Sequence, residues 1–274
     1  MMSGCSREKH EKIDLSSTHT TAAETMAPAP SENPESEPET TEGITIDAAV
    51  ENAANANSGK GSVSGQGSAA SANSISTSMA SYTSGKVSIQ YPAVKYPDDI
   101  STEAAVNELI KKNALSVLDA YEVDESKDTV EVTCRVMAAD RSRITITYTG
   151  SMMADGAAHP LNLFYTNTVD MRTASSLDLP SLVDPNTLAA YVLSDACVYP
   201  DASEDTKAAL AQLNASESRD QAYYANLFKN ADFPYEGSFP ECFSYEYEGD
   251  IYFSIPVIHA LGDYVIAVYT PENK

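Results

Sequence analysis

The sequence predicts an α+β fold over residues 86–274: a mainly antiparallel sheet with helices packed on one face, built as two subdomains in one globular unit. Three observations point there. Apolar and polar residues alternate in short runs at both ends of this region, the period of half-buried strands. A 3.6-residue apolar stripe follows the first run. Residues 1–85, in contrast, show almost no apolar periodicity, so the core must come from the remainder.

Val87-Ser88-Ile89-Gln90-Tyr91 alternates and stops at Pro92, which cannot donate to a ladder, so it reads as a strand. Ser101 is placed to cap a helix whose stripe is Val106, Leu109, Ile110, Ala114, Val117, Leu118 and Tyr121. Glu103, Asn107, Lys111 and Lys112 are expected on its outer face. Val130, Val132, Cys134 and Val136 then alternate with polar residues, as do Ile144, Ile146 and Tyr148. The short polar link Ala139-Asp140-Arg141-Ser142 makes them an antiparallel hairpin. Residues 161–169 form another expected strand. Residues 186–196 and 206–229 read as helices, the second breaking near 214–219. The chain ends in β structure: Phe243, Tyr245 and Tyr247, a turn at Glu248-Gly249-Asp250, then Ile251, Phe253 and Ile255, and a last strand over 264–269. Gly249 and Gly262 sit where reversals need backbone conformations that other residues resist. The expected halves are 86–150 and 151–274, and about 185 residues suffice for a core.

Residues 1–85 read as a tether. Ala27-Pro28-Ala29-Pro30 through Asn33-Pro34-Glu35-Ser36-Glu37-Pro38-Glu39 combines proline with carboxylates and buries too little to offset its ordering entropy. Residues 58–85 contain 10 Ser and 5 Gly, a flexible-linker composition. Between them, residues 44–56 suggest a transient helix. A tether of roughly 80 residues has a root-mean-square span of about 50 Å. At its start, Ser3-Gly4-Cys5 resembles the end of a bacterial lipoprotein signal, in which the cysteine becomes the lipidated first residue. The charged and apolar regions that precede a lipobox are then expected upstream of Met1 or already trimmed; the plainer reading of Cys5 is an exposed thiol.

Charge excludes one class of partner. The chain has 40 Asp and Glu against 17 Lys and Arg, a net charge of −23, of which −7 lies in residues 1–85 and −16 in the rest. A nucleic-acid binder needs the basic footprint that is missing here. No run of about 18 apolar residues is present to span a bilayer. No His-Glu-x-x-His, Cys-x-x-Cys, Gly-x-Ser-x-Gly or phosphate-binding glycine loop occurs, so no catalytic constellation, metal site or cofactor is expected. Carboxylate pairs such as Asp98-Asp99, or Glu125 near Asp128, are ordinary on an acidic surface. Asp124-Glu125-Ser126-Lys127-Asp128 lacks the glycine and closing glutamate of a calcium loop. Asn214-Ala215-Ser216 matches a glycosylation sequon, read here as accidental. Cys134 is expected as a small hydrophobe on its strand. Cys197 and Cys242 either pair, closing a loop of about 45 residues, or remain thiols.

Three stretches together resemble a family of exported bacterial domains of unknown function, found in lysozyme-binding anti-sigma factors and ahead of some peptidoglycan deacetylase domains. The first is Val87-Ser88-Ile89-Gln90-Tyr91-Pro92 with the helix carrying Val106-Asn107. The second is Gly156-Ala157-Ala158-His159-Pro160, followed by Val169-Asp170-Met171-Arg172-Thr173 and Leu177-Asp178-Leu179-Pro180-Ser181-Leu182. The third, Pro256-Val257-Ile258-His259-Ala260-Leu261-Gly262-Asp263-Tyr264, is similar to the ending of clostridial lipoprotein members. Ala174 stands where the family usually has a turn glycine. The resemblance implies an extracytoplasmic α+β module whose two subdomains share one sheet. It lacks the deacetylase catalytic domain and the sigma-binding segment, so neither activity transfers.

The candidate site residues are His159, Pro160, Asp170, His259, Gly262, Asp263 and Tyr264; they line a cleft or fix tight turns. The expected function is a non-enzymatic cell-surface lipoprotein, anchored to the outer face of the membrane by lipid on Cys5. Its domain would bind a cationic protein, such as a lysozyme-like hydrolase, or a cell-wall component. The alternative is an enzyme, or its accessory, acting on cell-wall glycan through His159 and His259. A third reading, a glycan or small-ligand module, would show itself as a tyrosine-lined groove.

Overall fold

The structure is a computed structural model that describes residues 75–95 and 100–271. These form a mixed α+β fold of a six-stranded sheet, a three-stranded sheet and four α-helices, so two separate sheets replace the expected shared one. Cys5, the Pro/Glu segment, residues 44–56 and Asp98-Asp99 lie outside the described residues. No helix among those described is long and apolar enough to cross a membrane.

The first sheet has the order β1 (Ser76–Ser84), β2 (Val87–Lys95), β3 (Thr129–Ala139), β4 (Arg143–Met153), β5 (Leu161–Asp170) and β6 (Ser175–Ser176). Only β2 and β3 run parallel, which requires a crossover, and α1 (Ile100–Ala120) supplies it. Its Val106, Ile110, Ala114 and Val117 are buried at helical spacing, as expected. Asn107 corrects the expected outer face: its side chain accepts from Val94 N (2.7 Å) and donates to Val94 O (2.8 Å), clamping the helix to β2. Tyr148 and Tyr165 face each other in the β4–β5 register, and their rings stack 4.6 Å apart with both side chains fully buried.

β1 corrects the tether boundary. Residues 76–84 fall inside the segment read as a linker, yet they pair along their full length with β2. An edge strand needs backbone partners and no apolar face, so serine-rich composition conceals it. Gly85 turns the hairpin at φ +55°, where an added Cβ would sit 2.2 Å from the Glu125 carbonyl oxygen. Tyr82 then donates to the Glu125 carboxylate (2.8 Å), joining the edge to the loop before β3.

The division expected at 150/151 is also corrected, because β4 runs through it. The second core begins after β6. There α2 (Pro185–Val192), α3 (Glu204–Asn214) and α4 (Gln221–Lys229) accompany the antiparallel sheet β7 (Ser244–Tyr247), β8 (Asp250–Pro256) and β9 (Tyr264–Tyr269). Asp184, Ser203 and Asp220 cap the three helices by accepting from the amides of Thr187, Thr206 and Tyr223. The break between α3 and α4 falls where the polar residues placed it. Asn214, in the sequon, accepts from Tyr224 Oη (2.6 Å) and donates to Val192 O (3.3 Å). Glu248 (φ +53°) and Gly249 (φ +85°) form the left-handed pair that a two-residue hairpin requires.

Cys134, Cys197 and Cys242 are free thiols, the second of the two alternatives open for Cys197 and Cys242. Both belong to the second core, where Cys242 is fully buried beside Ser254 and Cys197 lies against Tyr199. Burial pushes Cys134 and Cys197 up to about 11 and Cys242 well above its ordinary value, favouring the protonated thiol in all three.

Candidate functional site

Two features stand out at the seam between the sheets. The first gathers part of the expected site. His259 opens a short 3-10 turn, His259–Leu261, that joins β8 to β9, and Gly262 closes it at φ +99°. Nothing lies within 4 Å of a Cβ added there, so backbone conformation, not space, calls for glycine. Asp263 follows at φ +72° and is held by its carboxylate. Its Oδ2 accepts from Asn162 N (2.8 Å) and Asn162 Nδ2 (3.2 Å) at the start of β5, while Oδ1 lies 2.8 Å from His259 Nδ1. Since a carboxylate only accepts, this contact calls for a proton on His259 Nδ1, and in the neutral ring that leaves the lone pair on Nε2. The ring of His159, from the loop before β5, lies 6.2 Å from that of His259 at 36°. Both histidines are exposed, whereas the Asp263 side chain is only 11% exposed.

His159, His259 and Asp263 therefore converge. Pro160 leads into β5, and Tyr264 stacks on Phe164 at 5.1 Å, with burial and the Asp263 charge raising its hydroxyl above the ordinary value. Asp170 does not join them. It terminates β5, about 30 Å away at ~3.3 Å per residue. There it caps a turn by accepting from Arg172 N (2.8 Å) and Thr173 N (3.3 Å), contacts that hold its carboxyl below the usual range.

The second feature escaped sequence reasoning. Residues 231–243 straddle both cores: Phe233 and Phe243 are buried in the first, Ala231 and Cys242 in the second. Between these anchors the segment lines an open cleft of about 900 Å³, bounded by Tyr223, Tyr235, Phe239 and Pro240. Asp178, Glu236 and Glu241 contribute carboxylates against the single ammonium of Lys229. One lining ring already holds a cation, since the Arg219 guanidinium stands 5.3 Å from the centre of Tyr223. A neighbouring cleft of about 510 Å³ shares Pro234 and Tyr235 and is lined by Asn113, Ser116 and Ser176. The available signal was compositional: three aromatic residues among Pro234, Gly237 and Pro240 mark a loop whose rings have no periodic strand or helix face to occupy.

In the same segment, Asp232 ties the sheets together. It is 4% exposed at φ +67° and accepts from Ser244 N (2.6 Å), from the Ser244 hydroxyl and from Thr166 Oγ1 (3.2 Å) on β5. Burial, reinforced by the charge of Asp178, pushes its carboxyl up to about 7 against the hydrogen bonds that favour ionisation. Arg143 on β4 adds an ion pair to Glu246 on β7 at 2.9 Å. Glu125 and Asp128 have structural work: Glu125 accepts from Tyr82, and Asp128 accepts from Asp124 N and Asp155 N, both at 2.8 Å.

No family model and no curated protein matches the chain. Among solved structures it is similar to a DUF3298 family protein from Pseudomonas aeruginosa PAO1, at 16% identity and a TM-score of 0.33, covering 66% of this chain and 80% of that one. It is also similar to a DUF3298 member from Bacteroides fragilis NCTC 9343, at 12% identity and a TM-score of 0.36, covering 72% of this chain and 89% of that one.

Proposed function

We propose that the chain is a non-enzymatic, extracytoplasmic binding protein, held at the outer face of a membrane by lipid on Cys5, whose folded domain captures a cationic protein. The observation that carries this reading is the cleft. Tyr235 and Phe239 offer ring faces, and three carboxylates outnumber the Lys229 ammonium and the Arg219 guanidinium that stands over Tyr223. Lysine and arginine side chains suit such a lining, because a ring quadrupole and a carboxylate both attract them. A net charge of −16 on residues 86–274 would steer a basic partner inward. The resemblance to domains of lysozyme-binding anti-sigma factors suggests a lysozyme-like hydrolase as the type of partner.

The test is binding to immobilised lysozyme across a salt series. Affinity should fall steeply between low and moderate salt, by about tenfold in Tyr235→Ala, and by several-fold in the double variant Glu236→Gln, Glu241→Gln. Binding that is absent, or unmoved by salt and by these changes, would overturn the reading. Salt-insensitive binding to wall glycan that Tyr235→Ala abolishes would instead assign the cleft to a sugar.

A second reading, acid–base chemistry on wall glycan, is favoured by the convergence of His159, His259 and Asp263. A carboxylate that orients an imidazole and frees its other nitrogen is the arrangement a general base needs. Product release from peptidoglycan that His259→Ala abolishes would establish it; glycan left unchanged by the intact protein would remove it.

A further inference from the structure

We propose that His159 and His259 form an open binding site for a divalent transition-metal ion of the zinc(II) or copper(II) type. Imidazole nitrogen is a favoured ligand for both ions. With metal–nitrogen bonds of about 2.0–2.1 Å, two imidazoles sharing one ion place their ring centres roughly 5 Å apart at a tetrahedral angle and roughly 6.5 Å apart when trans across the ion. The rings here stand 6.2 Å apart. His159 is exposed, so rotation of its side chain is free to adjust the bite against a His259 held by Asp263.

The surroundings of His259 supply the second, independent observation. Asp263 Oδ1 engages Nδ1 at 2.8 Å and so presents Nε2 as the ligand nitrogen, the carboxylate–histidine–metal relay that orients ligands in metal sites. Asp263 is itself fixed by Asn162 N and Nδ2, so the relay exists before any ion arrives. No three His, Cys, Asp or Glu side chains among the described residues are arranged to hold a metal. The protein thus offers two ligands and leaves the other positions to water or to a donor from a partner. That pattern suits an exchangeable ion and not a structural one. Magnesium and calcium, which take oxygen ligands, should not compete.

The test is calorimetric titration of the full chain with zinc chloride, repeated on variants. One saturable site is expected on the folded domain. His159→Ala or His259→Ala should weaken it at least tenfold, and Asp263→Asn by about tenfold through the lost orientation of His259. His159→Ala is the safe variant for folding, since that ring is exposed, and circular dichroism of each metal-free variant separates lost binding from lost structure. The remaining histidines, His10 and His19, serve as the control: the double variant His10→Ala, His19→Ala should leave the domain site intact. Absence of saturable heat at millimolar zinc, or binding that survives His159→Ala and His259→Ala, would overturn the proposal. The cleft is unchanged in all these variants, so lysozyme binding stands or falls separately.

Discussion

Gly150→Ala is expected to destabilise the domain by about 3 kcal/mol or more, the top of the range for overpacking. Gly150 lies opposite Val132 in the β3–β4 pair. A Cβ there would stand 2.0 Å from the Glu131 carbonyl oxygen and 2.8 Å from Val132 Cα. Both obstacles are backbone, so no rotamer change relieves them. The ladder must open, and the neighbouring pairs Thr133–Thr149 and Glu131–Ser151 bracket the site. At about 2–4 °C per kcal/mol for a domain of this size, the melting temperature should fall by roughly 6–12 °C. Gly156→Ala is the contrast: φ is +78° but nothing lies within 4 Å, so only the left-handed backbone penalty of about 1–2 kcal/mol applies. Thermal melts followed by circular dichroism compare the two, and equal shifts would show that the strands do not approach this closely.

Asp232→Asn should remove a pH dependence and stabilise the protein above neutrality. Burial raises this carboxyl from an ordinary 3.8 to about 7. The unfolded chain therefore releases the proton near pH 4 and the folded chain near pH 7. Between those values the folded state binds more protons, so its stability falls as pH rises and levels off above 7. At 1.36 kcal/mol per pKa unit the loss is on the order of 4 kcal/mol. Asparagine keeps an acceptor for Ser244 N, places a donor toward the Ser244 hydroxyl, and tolerates the left-handed backbone at φ +67°. Urea denaturation of the variant at pH 8 should show a gain of about 2–4 kcal/mol over the parent, shrinking to near zero at pH 4. The comparison must be between the two proteins, because Asp140 and Asp184, held below the usual range chiefly by hydrogen bonds, lose stability in the opposite direction as pH falls. Parallel pH curves would show that Asp232 ionises freely in the folded state.

The position of Asp232 also explains why the seam was illegible. Its donors come from Thr166 on β5 and Ser244 at the start of β7, 66 and 12 residues away. Nothing in the local run Ala231-Asp232-Phe233-Pro234 distinguishes a buried carboxylate from a loop aspartate. Asn107 illustrates the same limit on a helix. Its period places it off the apolar stripe, yet β2 offers Val94 N and O at bonding distance. The histidine pair was legible as residues, since His259, Gly262 and Asp263 belong to one turn. Asp170 shares the candidate motif but sits at the other end of a ten-residue strand, and strand length separates what motif order had grouped.

Hydrophobic period and turn chemistry act over a few residues, and that is the range over which the sequence alone was sufficient. It identified the stripe of α1, the β3–β4 hairpin, the break before α4, the Glu248-Gly249 reversal and the α+β class. The partition into two sheets, the serine-rich edge strand β1, the free thiols in the second core and the acidic aromatic cleft came from the packing of distant segments. Backbone pairing at an edge leaves no apolar signature, and a cleft is the space left between two cores that each satisfy their own pattern. A single chain records each pattern, but the distance between them appears only when the sheets meet.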